Sequence, residues 1–410
     1  MNPIVQSNGL EKTDYAFRMR YETLRSLLNG NARALQILSD LEADLNHFHS
    51  SDWRIRRPVM RLIDEALLMA QELNLLTNHR HHTLYDILEQ IRFKTSAIFS
   101  KTITQDNDFI CVQLKENSAK QSGIVGGKAA GVAFLHDIFP GSVPDGFVLT
   151  TSAYRLFLEE NRLHEKLRLL LKDMDVITDR DQFSSKTESF RTMISDAQLP
   201  KKIEKIIDDQ LSTWDVNTWA VRSSAIAEDG RFSFAGQFET LLSVPSSDLK
   251  TAYKQVLSSR FLDRAVIYRI NCGLKEIDTP MAVLFMPMIM PIAAGVIYTR
   301  DPQDPTANSM VINCVQGMAD KVVKGTVKAD TFYLSRQAEP DVVDFIPAHG
   351  TKTENHRVTY ITDKKLKEIG GMAYQTMQKL GSDVDIEWAV DENQKLWLLQ
   401  SRRLSIADSE

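Results

Sequence analysis

Apolar positions in the first hundred residues recur with helical spacing. Tyr21, Leu24, Leu27 and Leu28 lie on one turn-to-turn ridge, followed by Leu35, Leu38, Leu41 and Leu45, then Leu62, Ala66, Leu67 and Ala70, and later Leu84, Ile87, Ile91 and Phe93. Breaker residues interrupt the pattern at Asn29-Gly30-Asn31, Ser50-Ser51-Asp52 and Asn78-His79-Arg80. The pattern predicts an antiparallel bundle of about four helices joined by short loops, filling residues 1–105.

From Phe109 onward the period changes. Short β-rich runs at 109–114, 146–150, 218–222, 281–289, 295–299, 310–315, 331–334 and 358–361 alternate with helical stretches at 152–163, 249–268 and 363–380. The polar segment 173–196 reads as a peripheral helical insertion. The mixture, closing on a hairpin, predicts an α+β architecture with mixed sheets across 106–405.

That closing hairpin carries the most chemistry. In Val384-Asp385-Ile386-Glu387-Trp388 and Leu398-Leu399-Gln400-Ser401-Arg402, side chains alternate faces, so Asp385 and Glu387 share one side, as do Gln400 and Arg402. A turn that pairs Asp391 with Leu396 sets Glu387 opposite Gln400 and Asp385 opposite Arg402. Two carboxylates, an amide and a guanidinium then occupy one patch of an apolar ribbon. Oxygen ligands suit a hard cation such as Mg²⁺ and arginine suits phosphate, so the patch reads as a metal–nucleotide site.

Three further segments add phosphate-binding chemistry. Gly126-Gly127-Lys128 opens a predicted helix, where backbone N–H groups and a lysine favour an anion, although by itself the segment reads first as a plain turn before a helix. It is not a P-loop, because Ser122 stands where the first glycine belongs and Ala129 where a Ser or Thr is needed. Strand residue Arg222 precedes a small, hydroxyl- and glycine-rich loop that includes Ser233, Gly236 and Gln237, the composition of a phosphate cover or of an ordinary surface loop. The third segment, Tyr298-Thr299-Arg300-Asp301-Pro302 with Asp320 beyond it, reads as strand and turns. Asp320 there suits a ribose hydroxyl, a second metal or a plain β-turn.

The balance of the 410 residues, 43% hydrophobic and 25% charged with net charge −5, gives no electrostatic reason to expect nucleic acid or membrane as a partner. Three scattered cysteines in apolar contexts point to reduced thiols rather than a disulfide framework or a cysteine metal site. No apolar run has membrane length and the first residues lack a leader pattern, so a soluble, cytoplasmic chain is expected. The cluster His79, His81 and His82 lacks a carboxylate or cysteine at useful spacing and reads as an interhelical loop.

Taken together, the motifs from about Val125 to Leu404 resemble the nucleotide-binding region of the phosphoenolpyruvate synthase and pyruvate phosphate dikinase family, an ATP-grasp fold with two subdomains. They are Gly-Gly-Lys, Val-Pro-x-Gly-Phe-Val-x-Thr from Val143, Ala-Val-Arg-Ser-Ser-Ala-x-Ala-Glu-Asp around Arg222, and Phe-Ala-Gly-Gln-x-Glu-Thr from Phe234. Asp-Arg-Ala-x-x-Tyr-Arg from Asp263 and the hairpin's Asp-Ile-Glu-Trp-Ala and Leu-Leu-Gln-Ser-Arg complete the set.

The resemblance implies a Mg²⁺- and ATP-dependent phosphotransferase. Lys128 and Arg222 contact phosphates under a loop carrying Ser233, Gly236 and Gln237; Glu387 and Gln400 hold Mg²⁺; Asp385 supports the metal or the nucleophile; Arg402 stabilises the transferring group. Adenine is expected along the strand near Met286 and Met288, and the ribose near Asp320; the family has glutamine at the first of these positions and glutamate at the last. None of the nine histidines sits in the family's Gly-x-x-Ser/Thr-His-Ala phosphocarrier context. The expected acceptor is therefore a separate histidine-domain and pyruvate-domain protein. The alternatives are a kinase acting directly on another acceptor and a non-catalytic ATP-binding regulator.

Overall fold

The computed structural model describes residues 7–47, 52–78, 80–103, 109–171, 179–226, 237–271, 280–319, 328–348 and 360–404. The chain divides into two compact units, Met1–Asp106 and Asn107–Glu410.

The first unit contains α1 (Ser7–His47), α2 (Asp52–Leu76) and α3 (Thr83–Ile103), with α1 packed on α2 and α2 on α3. Ile37 and Leu41 of α1 and Ile63 and Ala70 of α2 are buried. The break expected at Asn29-Gly30-Asn31 does not occur, and among the described residues there are three helices rather than four. A helical glycine costs about 1 kcal/mol relative to alanine, but here it has a packing use. A Cβ on buried Gly30 would stand 3.0 Å from Met69 Cγ, so the glycine marks the close approach of α1 to α2.

The turn before α3 forms as expected around Asn78, whose φ is 52°. Asn74 staples it: its amide donates to the carbonyls of Ala70 (3.0 Å) and His81 (3.2 Å) and its oxygen accepts from His81 N–H (2.8 Å). His81 and His82 are exposed on this loop, while His79 and the break at 48–51 lie outside the described residues.

The second unit begins with β1 (Cys111–Gln113), α4 (Ser122–Ile138), β2 (Phe147–Leu149), α5 (Thr151–Glu160), α6 (Leu163–Leu171), α7 (Arg180–Asp196) and α8 (Lys201–Thr213). There follow β3 (Thr218–Ala225), β4 (Thr240–Pro245), α9 (Leu249–Ser258), α10 (Asp263–Asn271), β5 (Met281–Pro287) and β6 (Pro291–Tyr298). The unit closes with β7 (Ser309–Gln316), β8 (Asp330–Ser335), β9 (Val342–Ile346), α11 (Asp363–Leu380), β10 (Val384–Asp391) and β11 (Leu396–Arg403). The run expected at 358–361 is not a strand in its described residues, 360 and 361.

Two sheets result, with strand orders β1-β2-β5-β3-β4 and β11-β10-β6-β7-β8-β9. Every pairing is antiparallel, which corrects the expectation of mixed sheets. The helical connections do not impose parallel pairing, because no strand's helix returns it beside its predecessor in the same direction.

Each face of the first sheet has its own core. Phe147, Leu149, Trp219, Val221, Val283 and Phe285 pack with the helices α5, α7 and α9, whereas Val148, Ala282 and Leu284 share a cluster with Val125, Ala129 and Val132 of α4. Helix α7 corrects another expectation. Its composition is polar, yet Phe190 and Ile194 are fully buried and Ser184 and Thr187 donate hydrogen bonds to Asp263 of α10, so it belongs to the core rather than the periphery.

Asp383 organises the end of the second sheet. It accepts from Arg300 Nε (2.8 Å), Arg336 Nη2 (2.5 Å) and Thr299 Oγ1 (3.0 Å), while Arg336 Nε also donates to the Thr299 carbonyl (2.8 Å). Burial opposes its charge, but the bonds from Arg336 and Thr299 and the charges of both arginines outweigh it and hold the carboxyl below its ordinary range. The unfolded chain therefore takes up this proton first as pH falls. The stabilisation is complete above the ordinary aspartate value of about 3.9 and is lost as pH falls through the lower folded value. Asp383→Asn is expected to cost about 2–3 kcal/mol at neutral pH and to flatten the acid limb of a urea-denaturation profile measured from pH 6 downward.

Candidate functional site

The site is assembled from β3 of the first sheet, β10 and β11 of the second, and α4. In the hairpin Asp385 pairs with Arg402 and Glu387 with Gln400, in the register expected from the alternation of faces. The turn differs by one residue: Leu396 pairs with Val390 rather than Asp391. A β-bulge between Glu387 and Trp388 takes up the difference and leaves Leu399 as the extra residue. The bulge has a consequence at once, because the Leu399 carbonyl accepts from Arg222 Nη1 at 3.0 Å.

Arg222 reaches that carbonyl from the other sheet and also pairs through Nη2 with Glu387 Oε2 at 2.5 Å. Its Nε is buried with no partner among the described residues. Burial works against the Glu387 charge, but Arg222 first, then Arg402 and Lys128, hold the carboxyl below its usual range. Arg402 grips Asp385 with two parallel bonds, Nε at 3.0 Å and Nη2 at 2.8 Å. Burial pushes the Asp385 carboxyl up, with Glu387 adding to the rise and Arg402 opposing it.

Helix α4 is fitted into the junction by glycines. Gly126 has φ of +75° and breaks the helical run, and a Cβ there would lie 2.0 Å from the Ser224 carbonyl oxygen. One turn on, Ser224 Oγ accepts from Ala129 N–H at 3.0 Å and Lys128 Nζ donates to Ser223 Oγ at 3.1 Å. On the other side a Cβ on Gly131 would lie 2.4 Å from the Ser401 carbonyl, and Ser401 Oγ donates to the Gly131 carbonyl at 3.2 Å. The helix thus touches both sheets through backbone, which carries Lys128 to the carboxylate patch.

The structure brings together Lys128, Arg222, Asp385, Glu387, Gln400 and Arg402. Ser233, Gly236 and Asp320 lie outside the described residues. Gln237 is half-buried, with Oε1 unpartnered among the described residues and its carbonyl accepting from Arg264 Nε at 3.1 Å. Met286 is 2% exposed with its thioether in the core cluster, whereas Met288 is half-buried where β5 leads towards β6.

Sequence reasoning did not single out Tyr298. It stands opposite Asp385 on β6, half-buried, and its hydroxyl is pushed up by burial and by Asp385 while Arg402 pulls it down. Its place in the strand's alternation was readable, but its face became meaningful only once β6 was known to pair with β10. Ser223, Ser224 and Ser401 were missed as helix anchors for the same reason.

Three cations and two carboxylates converge here. Among the described residues no group of three His, Cys, Asp or Glu could hold a metal by protein ligands alone. Both carboxylates already have an arginine partner, and with three cations to two carboxylates the buried Arg222 N–H, unpartnered among the described residues, leaves the cluster disposed towards an anion. The arrangement fits a polyphosphate that brings its own hard cation better than a free metal ion.

The fold and the site thus define a nucleotide-binding domain, and comparison with known proteins agrees. Residues 122–410 match the model of the pyruvate phosphate dikinase AMP/ATP-binding domain, and the chain belongs to that family. Among curated relatives, the rifampicin phosphotransferase of Bacillus subtilis is 29% identical over 71% of this chain and 35% of its own length. The phosphoenolpyruvate synthase of Escherichia coli is 30% identical over 68% of this chain and 40% of its own. A prodigiosin-synthesizing transferase of Serratia marcescens is 30% identical over 73% and 33%. The chain spans less than half the length of each of these relatives.

Gly126→Ala tests how the helix is seated. The added methyl meets backbone rather than a flexible side chain, and φ is positive, so the variant is expected to lose about 2–4 kcal/mol of stability. ATP affinity measured by calorimetry on the fraction that stays folded should fall at least tenfold, as the Lys128 helix lifts from Ser224.

Proposed function

We propose that the unit from about residue 106 to 405 is an ATP-grasp domain that binds ATP with Mg²⁺ and transfers a phosphoryl group, and that residues 1–105 form a separate helical bundle. The observation that carries this reading is the Arg222–Glu387 pair joining the two sheets beside Lys128, with Arg222 Nε unpartnered among the described residues. Phosphoryl transfer needs positioning and charge neutralisation more than covalent chemistry from the protein. The residues at the junction supply both.

In this reading Lys128 and the Arg222 fork orient the phosphates, and Arg222 exchanges part of its hold on Glu387 for phosphate oxygens. That exchange frees Glu387, which with Gln400 is placed to hold Mg²⁺; the ion, when bound, neutralises charge on the phosphates. Asp385 acts as a positioning residue. By occupying Nε and Nη2 of Arg402 it fixes the guanidinium plane and leaves Nη1 for an oxygen of the transferring group. Ser233, Gly236 and Gln237 would cover the phosphates, Met288 and the backbone at Met286 would meet the adenine, and Asp320 the ribose.

The acceptor we infer is a histidine on a separate protein that also carries the pyruvate chemistry, a reading that draws on the similarity to phosphoenolpyruvate synthase. A second reading, direct transfer to another acceptor, draws support from the relative named as a rifampicin phosphotransferase. No described helix is long and apolar enough to cross a membrane.

Incubation with ATP labelled at the β or γ position, Mg²⁺ and candidate histidine-domain proteins decides between them. Acid-labile label on the added protein supports the first reading, and acid-stable label on a small molecule the second. If ATP binds and no label leaves it with any acceptor, both catalytic readings are overturned. Glu387→Gln should lower turnover by about 10³-fold or more. Because it leaves the Arg222 guanidinium without its buried counter-charge, it should also cost about 3–5 kcal/mol of stability, so turnover is compared at a temperature where circular dichroism shows the variant folded. Turnover equal to wild type in that variant would remove Glu387 from the metal site.

A further inference from the structure

The first unit holds a feature that nucleotide chemistry does not use. On α1, Tyr21, Leu24, Leu28, Leu35 and Leu38 are between 44% and 60% exposed, although the same helix buries Ile37 and Leu41 against α2. The exposed residues follow a heptad. Tyr21, Leu28 and Leu35 fall on one position of the repeat, and Leu24, Asn31 and Leu38 on the other, three residues on. Helix α1 therefore has two apolar stripes, one spent on α2 and one facing outward. Among the described residues, the exposed large apolar side chains of α2 (Leu68, Leu75) and α3 (Ile87, Ile91) are pairs and make no such run.

We propose that this stripe joins two copies of the chain as a parallel two-stranded coiled coil. Asn31 decides in favour of a second copy over a foreign helix. An amide at a seam position is costly unless it meets another hydrogen-bonding group, and in a parallel pair of identical helices it meets Asn31 of the second copy. The register that satisfies Asn31 also sets Tyr21, Leu24, Leu28, Leu35 and Leu38 each against itself. An antiparallel pairing places Asn31 against Leu28 instead.

The flanks agree with close approach. Ala32 borders the seam on one side and Leu27 and Ala34 on the other, uncharged side chains that extend the apolar contact and bring no like charge against a second copy. Two like-charge pairings arise in the parallel arrangement. One is Arg20 with Arg25 of the second copy, made twice by the two-fold. The other is Glu42, the next seam position after Leu35 and exposed, against its own copy, which ends the apolar stripe at Leu38. Arg20 is already turned away, donating from Nη2 to the Leu76 carbonyl at 3.1 Å. Five half-exposed large side chains per copy bury about 1,000 Å² in total across the two-fold, the low end for a specific interface.

The test uses the full chain. Sedimentation equilibrium at micromolar concentration should give twice the mass of one chain, and the double variant L28E/L35E should give half that mass while keeping the circular dichroism spectrum of a folded protein. Under mild oxidation Leu38→Cys should form a disulfide-linked dimer by itself, because the two residues 38 are adjacent only when the helices run parallel. A monomeric wild type overturns the proposal, as does a dimer that survives L28E/L35E. Cross-linking seen only when Tyr21→Cys and Leu38→Cys proteins are mixed overturns the parallel arrangement. Should L28E/L35E fail to fold, the wild-type mass and the Leu38→Cys cross-link decide.

Discussion

One arginine ties the second unit together. Arg222 leaves the first sheet, accepts burial, and divides its guanidinium between a carboxylate and a bulge carbonyl of the second sheet. A buried charge is tolerated only when it is paired and hydrogen-bonded, so the position of each sheet is constrained by the other's polar groups. The same bond keeps Glu387 ionised inside an apolar ribbon. The charged junction keeps its geometry because the two sheets hold each other through this side chain.

Helix α4 makes the arrangement possible by having almost no side chains where it matters. Glycine at 126 lets the chain turn against the Ser224 carbonyl, and glycine at 131 lets it pass the Ser401 carbonyl, each at a distance no Cβ could share. The anchoring hydroxyls of Ser224 and Ser401 then satisfy backbone groups on both flanks. Lys128 owes its position to these contacts. Its own bond to Ser223 is the last link rather than the first.

Much of this was legible in the sequence where neighbours in space are neighbours in the chain. The hairpin's alternation placed Asp385 opposite Arg402 and Glu387 opposite Gln400, and the helix 363–380 appeared with the bounds of α11. Contacts between distant segments were not legible. Arg222 and Glu387 are 165 residues apart, and nothing local to either names the other. Composition misled at α7, where a polar majority hid Phe183, Phe190 and Ile194, whose spacing of seven and four marks a buried stripe. It misled again at Gly30, where a residue that usually breaks a helix serves to bring two helices together. The edge strands β4 and β9 were missed because exposed edges carry mixed polarity and little periodicity.

The bulge at Leu399 separates two jobs that a regular hairpin would merge. Beyond it, towards the tip, the register is set by the turn, where Asp391 binds Trp397 Nε1 and the N–H groups of Asn393 and Lys395. Below it, the register is set by the charges. The hairpin behaves as a ribbon with a slip joint. Its tip can be rebuilt by a residue without carrying Glu387 and Asp385 to the wrong face, and the chemistry of the junction is insulated from the loop that closes the hairpin.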